Sequence, residues 1–236
     1  MSVEPARESG HIVQRKTARA FFALWPEAEL AHRMWREGQE LQRRFGGRLT
    51  SEASVHMTLL FLGDVLEEHL QSLAASASVP FTPFAMTVDT AGCWCHNGVA
   101  WLAPSITPPA LSQLVSELTQ AMGIAGFDAE RRPFAPHITV VRKAKCAALD
   151  RAVPKLEWRV AEYVLVRSAR NMDGSVYSVI GRWRGSNRSH RTLRQSRFLD
   201  SPSWRFSSTA KWMPPNRGAK RSLVSCLIWN CASGLT

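Results

Sequence analysis

Apolar residues fall in short blocks separated by polar turns, and the blocks alternate between strand-like and helix-like spacing. Ala20-Phe21-Phe22-Ala23-Leu24 is an unbroken apolar run, the pattern of a buried strand. Pro26 then suits the first turn of a helix, with Glu27 and Glu29 where the positive end of the helix dipole favours acids. Leu30, Met34, Leu41 and Phe45 share one helical face, and Gly46-Gly47 ends it. Val55 to Leu62 predicts a strand closed by Gly63-Asp64, followed by a helix through Glu67, Leu70 and Leu73. Phe84–Val88 and Val99–Leu102 predict two more strands. Thr107 as N-cap and Pro108 at the first helical position open a helix. It carries Leu111, Leu114, Val115, Leu118 and Met122, and Gly123 stops it. Pro136 to Val141 predicts another strand. Tyr163–Val166 and Val176–Ile180 flank Asn171-Met172-Asp173-Gly174, a hairpin turn. After Trp183 the pattern dissolves into Ser, Arg, Asn and Pro. The predicted organisation is a flexible arm over 1–18, a folded unit over 19–184 and an extension over 185–236.

The blocks also repeat. Phe22-Ala-Leu-Trp-Pro, a helix and His56-Met-Thr-Leu parallel Trp101-Leu-Ala-Pro, a helix and His137-Ile-Thr-Val. A duplicated strand–helix–strand unit puts the two histidine strands in equivalent places about a pseudo-twofold axis, with their active faces meeting across a cleft.

Charge changes the picture less than its total suggests. The formal net charge of the 236 residues is +11. Nine basic residues and one acidic residue lie in 185–236, so the extension carries +8 and the first 184 residues only +3. The extension therefore supplies most of the apparent affinity for nucleic acid. It has no periodic face and reads as a mostly disordered appendage, with an RNA-binding arm as the alternative. No apolar run approaches the ~20 residues of a membrane span. The polar start lacks the apolar stretch of a signal peptide, so a cytoplasmic protein is expected. Five cysteines in no regular framework lead to an expectation of free thiols.

The candidate chemistry lies in His-x-Thr, which occurs twice, at His56/Thr58 and His137/Thr139. In a strand, residues i and i+2 point the same way. His56, Thr58 and Leu60 then share one face, with Met57, Leu59 and Phe61 on the other. One such triplet is most simply a core histidine beside a strand-loving threonine. Two at matching places in a repeat are better explained by a shared task. Facing imidazoles can take a proton from a nucleophile and give one to a leaving group near neutral pH. The threonine hydroxyls can donate to non-bridging phosphate oxygens, and Arg142 adds a cation nearby. No cofactor and no metal is called for.

His56-Met-Thr-Leu and His137-Ile-Thr-Val resemble the paired His-x-Thr motifs of the two-histidine (2H) phosphoesterase superfamily. Arg19-Ala-Phe-Phe-Ala-Leu-Trp-Pro, Phe61-Leu-Gly-Asp and the segment from Arg132 to Arg142 look like its bacterial RNA 2′,3′-cyclic phosphodiesterases, also called the 2′–5′ RNA ligase family. The resemblance spans about 19–184. It implies a bilobal α+β fold, with two antiparallel sheets facing across a central cleft and helices outside. It implies metal-independent hydrolysis of RNA or nucleoside 2′,3′-cyclic phosphates to 2′-phosphomonoesters. His56 is then the proton donor and His137 the proton acceptor, with Thr58 and Thr139 on the phosphate oxygens. Arg142 matches a basic position of the family. Phe134 stacks on a base or belongs to the core. A partner RNA end, or a small cyclic nucleotide, and a monomeric enzyme are expected. The alternatives are 2′–5′ ligation at the same site, a non-catalytic RNA-end binding module, and another 2H activity on a small cyclic nucleotide or ADP-ribose cyclic phosphate.

Cys93-Trp94-Cys95-His96 has the look of a metal fragment, but no second cluster completes four ligands. A strand end and turn running into Asn97-Gly98 explains it more simply. His32 and His69 are expected to be solvated. Lys143, Lys145 and Arg131-Arg132 suit either RNA phosphates or plain surface.

Overall fold

A computed structural model describes residues 15–128, 132–146, 150–171 and 174–186. Residues 1–14 of the predicted arm, and the basic extension from 187 onward, lie outside the described residues.

Strand β1 (Thr17–Leu24) begins two residues before the expected start and leads to helix α1 (Ala28–Phe45). The helix buries Ala31, Met34, Gly38, Leu41 and Phe45, and ends at Gly46 and Gly47, whose φ of 64° and 90° few side chains tolerate. A two-residue strand β2 (Arg48–Leu49) precedes β3 (Met57–Leu66). The latter runs through Gly63-Asp64 rather than stopping there, because Gly63 at φ 72° absorbs an irregularity and pairing with β1 continues to Leu66. The short helix α2 (Leu70–Ser76) follows. Strands β4 (Phe84–Trp94) and β5 (Val99–Ala103) form a hairpin, its turn closed by Gly98 at φ 63°. Helix α3 (Pro109–Ile124) buries all five predicted apolar positions. It starts with Pro108 rather than Thr107 as N-cap and passes Gly123; the positive-φ glycine that follows it is Gly126, at φ 80°. Strand β6 (Ile138–Arg142) is followed by β7 (Asp150–Val160), a strand not among those expected above, whose Leu156, Trp158 and Val160 alternate with polar residues. Strands β8 (Glu162–Asn171) and β9 (Gly174–Arg184) form the predicted hairpin, longer than the apolar runs that mark it.

The sheet order is β7-β4-β5-β6-β3-β1-β8-β9, with β2 beside β6, and every pairing is antiparallel. The order is symmetric about its centre. Each half has four long strands, and the helix following each inner strand, α1 after β1 and α3 after β5, is its own crossover. The two halves of the sheet are bonded through one strand pair, Met57 with Ile138, and the helices pack across it, α1 against β5, β6 and β7 and α3 against β3. The two expected antiparallel sheets are thus joined edge to edge into one sheet of nine strands, eight on the path and β2 beside it.

The main core holds Phe22, Leu24, Met34, Leu41, Met57, Leu111, Leu118 and Ile138, all essentially inaccessible. Tyr163 is also fully buried, and its hydroxyl donates to Ala77 O at 2.6 Å and accepts from Val79 N at 2.9 Å. Burial pushes its pKa up to about 12, so the phenol stays protonated as this geometry needs. Tyr163→Phe removes the donor to Ala77 O and one of two acceptors of the Val79 N–H, which keeps Ala77 O at 2.9 Å, and should cost about 1 kcal/mol in urea unfolding. An unchanged midpoint would show that the hydroxyl is not needed.

The expectation of free thiols fails for one pair. Cys93 and Cys146 form a disulfide, with Cα atoms 5.8 Å apart. The chain after β6 folds back over the β4–β5 turn, where Ala144 N donates to Gly98 O at 2.9 Å, and this brings Cys146 to the end of β4. Cys95 is free and exposed. No helix among the described residues is long and apolar enough to cross a membrane.

Candidate active site

The residue numbers of the repeat give the site its symmetry. His56 and His137, Thr58 and Thr139, and Met57 and Ile138 are each 81 positions apart. Met57 and Ile138 are therefore equivalent positions that pair with each other, and the pseudo-twofold axis passes through that pair. An antiparallel register through it sets His56 abreast of Thr139 and His137 abreast of Thr58. Both anchor side chains are fully buried, so alternation turns their neighbours the other way, toward the cleft.

Strand alternation then breaks, in the same way in both halves. Ala23 pairs with Thr58 but Phe22 with Leu60, leaving Leu59 as an extra residue; Trp101 pairs with Thr139 but Ala100 with Val141, leaving Val140 extra. Each bulge reverses the parity that follows. Phe61 and Arg142 consequently join the threonine face, and Leu60 is buried on the opposite one. The predicted placing of Leu60 beside His56, with Phe61 behind, is corrected by this bulge.

Each imidazole is oriented by the same device. His56 Nδ1 lies 2.7 Å from Ser54 O, and His137 Nδ1 lies 2.8 Å from Ala135 O. A carbonyl only accepts, so Nδ1 carries the proton in both rings and Nε2 is left for chemistry. Neither histidine lies inside its strand; each immediately precedes it, where the main chain is free to make this contact. The surroundings differ. Trp25 stacks on His56 at 5.0 Å with planes 6° apart, Phe21 stacks at 5.1 Å and Tyr177 meets it edge-on at 5.3 Å. His137 meets the edge of Trp94 at 4.6 Å. Burial pushes the His56 pKa down to about 4, with smaller contributions from the charges of Arg142 and His137. His137 is lowered as well, by burial and then by Arg142.

His56, Thr58 and Arg142 line an open cleft of about 440 Å³, together with Arg19, Phe21, Arg48, Phe61, Ser168, Ser175 and Tyr177. His137, just before β6, and Thr139, within it, are not among the lining residues; they stand on the far side of the axis, with His137 near enough to His56 for its charge to lower the His56 pKa. Phe134 is not among the lining residues; it packs, partly buried, against the main core. Arg19, Phe21 and Trp25 lie in the Arg19–Pro26 segment that carries the family resemblance, which gave them no role; Arg48 and Tyr177 were given none either. His32 Nδ1 contacts Glu52 at 3.1 Å and stays away from the cleft. Cys93, bonded to Cys146, is removed as a thiolate ligand, and the described residues hold no cluster of three or more His, Cys, Asp or Glu side chains placed for a metal.

Residues 26–171 match the 2′-5′ RNA ligase superfamily. The chain belongs to this superfamily. It is 32% identical to the RNA 2′,3′-cyclic phosphodiesterase of Escherichia coli K12, over 70% of this chain and 95% of the relative. The protein of the same name from Thermus thermophilus is 31% identical, over 69% of this chain and 87% of its own length. The crystal structure of E. coli LigT complexed with 3′-AMP superimposes with a TM-score of 0.67 at 29% identity, covering 72% of this chain and 99% of that one. TT0787 of T. thermophilus gives 0.58 at 27% identity, with 70% and 97% covered. The superfamily fold accounts for the duplicated α+β architecture with helices outside the sheet.

Proposed function

We propose that this chain hydrolyses 2′,3′-cyclic phosphate ends of RNA to 2′-phosphomonoesters, with His56 and His137 as its acid–base pair. The observation that carries this reading is the matched orientation of the two imidazoles, each tied through Nδ1 to the carbonyl two residues earlier and each presenting Nε2. The names of the relatives supply the substrate class.

In the reaction, His137 Nε2 takes a proton from water as the water oxygen bonds to phosphorus. The bond from phosphorus to O3′ breaks, and His56 Nε2–H protonates the leaving oxygen. The phosphate remains on O2′ and a 3′-hydroxyl is released. Thr58 and Thr139 donate to the non-bridging oxygens, and Arg142 offsets the charge gathering on them. The donor and acceptor roles come from the family resemblance.

The depressed pKa values set a condition on this chemistry. An empty site holds both imidazoles neutral at pH 7, yet His56 must be protonated to act as the acid. The phosphate supplies the missing charge, since an anion beside His56 raises its pKa. A base must be neutral and an acid protonated, so activity rises through one pKa and falls through the other. In the free enzyme both lie below the ordinary 6.5, which places the kcat/KM optimum on the acid side of 6.5. In the complex both are raised, so the kcat optimum lies at higher pH. Assay of 2′,3′-cyclic AMP over pH 4–9, with the product resolved as 2′- or 3′-phosphate, tests the whole reading. Absence of turnover, or a 3′-phosphate product, rejects the function; coincident kcat and kcat/KM optima reject the electrostatic account. Two intact, oriented imidazoles favour turnover over a module that only binds RNA ends.

A further inference from the structure

We propose that Arg19 and Ser168 form a subsite for the phosphodiester one nucleotide upstream of the reacting end, so that RNA chains are preferred to cyclic mononucleotides. The proposal rests on the cyclic phosphodiesterase reading above and names its substrate class more closely.

The cleft-facing residues of β1 are layered outward from the axis. Ala23 lies beside Thr58, Phe21 beside Phe61 and Arg19 beside Asp64. On the other edge, Arg19 lies beside Ser168, whose own partner on β9 is Tyr177. The catalytic layer is followed by an apolar one, in which Phe21, Phe61 and Tyr177 are packed together. That layer suits a ribose or base and holds no charge. The next polar layer is Arg19 with Ser168. Ala23 and Arg19 are four strand residues apart, about 13 Å, which one nucleotide and the reach of an arginine together span.

A second cavity continues the first at this point. It has about 310 Å³, is lined by Thr17, Arg19, Asp64, Arg167 and Ser168 among others, and shares Arg19 and Ser168 with the catalytic cleft. Those two residues therefore stand where the chain must pass if it extends beyond one nucleotide. Arg19 is held for the role. Its Nε lies 3.4 Å from Asp64 Oδ1, and its guanidinium carbon sits 5.8 Å from the centre of the Phe61 ring. Asp64 meets Arg19 through Nε, so this contact leaves the two terminal nitrogens, the fork that binds phosphate oxygens, to a ligand. Arg167, in the same cavity, is engaged by Glu67. The Asp64 carboxylate would repel a phosphate by itself, and its ion pair with Arg19 offsets that.

The test compares kcat/KM for 2′,3′-cyclic AMP with that for a diadenosine ending in the same cyclic phosphate, and for its methylphosphonate analogue, whose internal linkage is uncharged. Wild-type protein should favour the dinucleotide about tenfold, and both the neutral linkage and Arg19→Ala should remove most of that preference, chiefly through KM. The neutral linkage should cost Arg19→Ala nothing further. Equal kcat/KM for mono- and dinucleotide in wild type would overturn the proposal, as would a preference that survives either Arg19→Ala or the neutral linkage. The substrate-side arm needs no variant, so misfolding of Arg19→Ala does not shield the idea. Turnover of neither substrate would refute the underlying function instead.

Discussion

His56→Ala and His137→Ala should each lower kcat/KM on a 2′,3′-cyclic nucleotide by about 10²–10⁴-fold, the usual contribution of one acid or base. The double variant should lose much less than the product of the two, because the groups act in one step. His56 is packed among Phe21, Trp25 and Tyr177, so alanine leaves a gap there. His56→Gln keeps the volume without the titrating group and separates chemistry from packing. A second substrate assigns the roles. An aryl phosphodiester leaves as a nitrophenolate that needs no proton. Its hydrolysis should be nearly normal in the variant lacking the acid and remain slow in the one lacking the base. If His56→Gln turns over such a diester no better than His137→Gln does, the donor role of His56 is wrong. Near-normal turnover of the cyclic nucleotide by either folded variant would remove that histidine from the mechanism and end the acid–base pair.

Much of this site was legible because its signals are local. The two His-x-Thr triplets, the glycines after α1 and the apolar face of α3 each follow from spacing within one element. Bulges are different, because they depend on what a partner strand does. The apolar doublets Leu59-Leu60 and Val140-Val141 are the trace they leave, a break in alternation at the same place in both halves. Read that way, the doublets would have placed Phe61 in the cleft. Strand β7 is legible by a different rule from the unbroken apolar runs: Leu156, Trp158 and Val160 alternate with Glu157 and Arg159, the mark of a strand with one buried face, and only Pro154 and Lys155 interrupt that alternation back to Val153. The disulfide was missed because Cys93 and Cys146 are 53 residues apart and meet only through the fold.

The symmetry that builds the site is also the symmetry it must break. Phe61 and Arg142 occupy equivalent positions, each three residues after a threonine and each turned inward by a bulge. One half thus presents an aromatic ring and the other a cation. Three rings crowd His56, while among the described residues one meets His137. A perfectly symmetric pair would bind a cyclic phosphate equally well in two orientations. Under the proposed function, the Phe61/Arg142 difference would give the ribose an apolar side and the phosphate a charged one, and so would give two like histidines unlike roles.

The half around His137 depends on a glycine that sequence reasoning passed over, and Gly92→Val should be the most destabilising single change in the sheet outside the main core. Gly92 pairs with Trp101 across β4 and β5, and the indole lies over it: a Cβ there would be 2.2 Å from the ring. The obstacle is a bulky ring bounded by Trp94, 5.7 Å away, not the tip of a flexible chain. Trp94 in turn rests against His137 at 4.6 Å. Displacing the Trp101 ring therefore costs packing twice and moves the ring that supports His137, the proposed base. The expected loss is about 3 kcal/mol in urea unfolding, toward the upper end for overpacking, with kcat/KM reduced more than in Tyr163→Phe, whose hydroxyl lies away from the cleft. Combining Gly92→Val with Trp101→Ala frees the space the new side chain needs. The pair should then be less destabilising than the sum of its singles by about 1–3 kcal/mol. Strict additivity would mean that the new side chain does not meet the Trp101 ring, and that the close approach at Gly92 is not what the glycine serves.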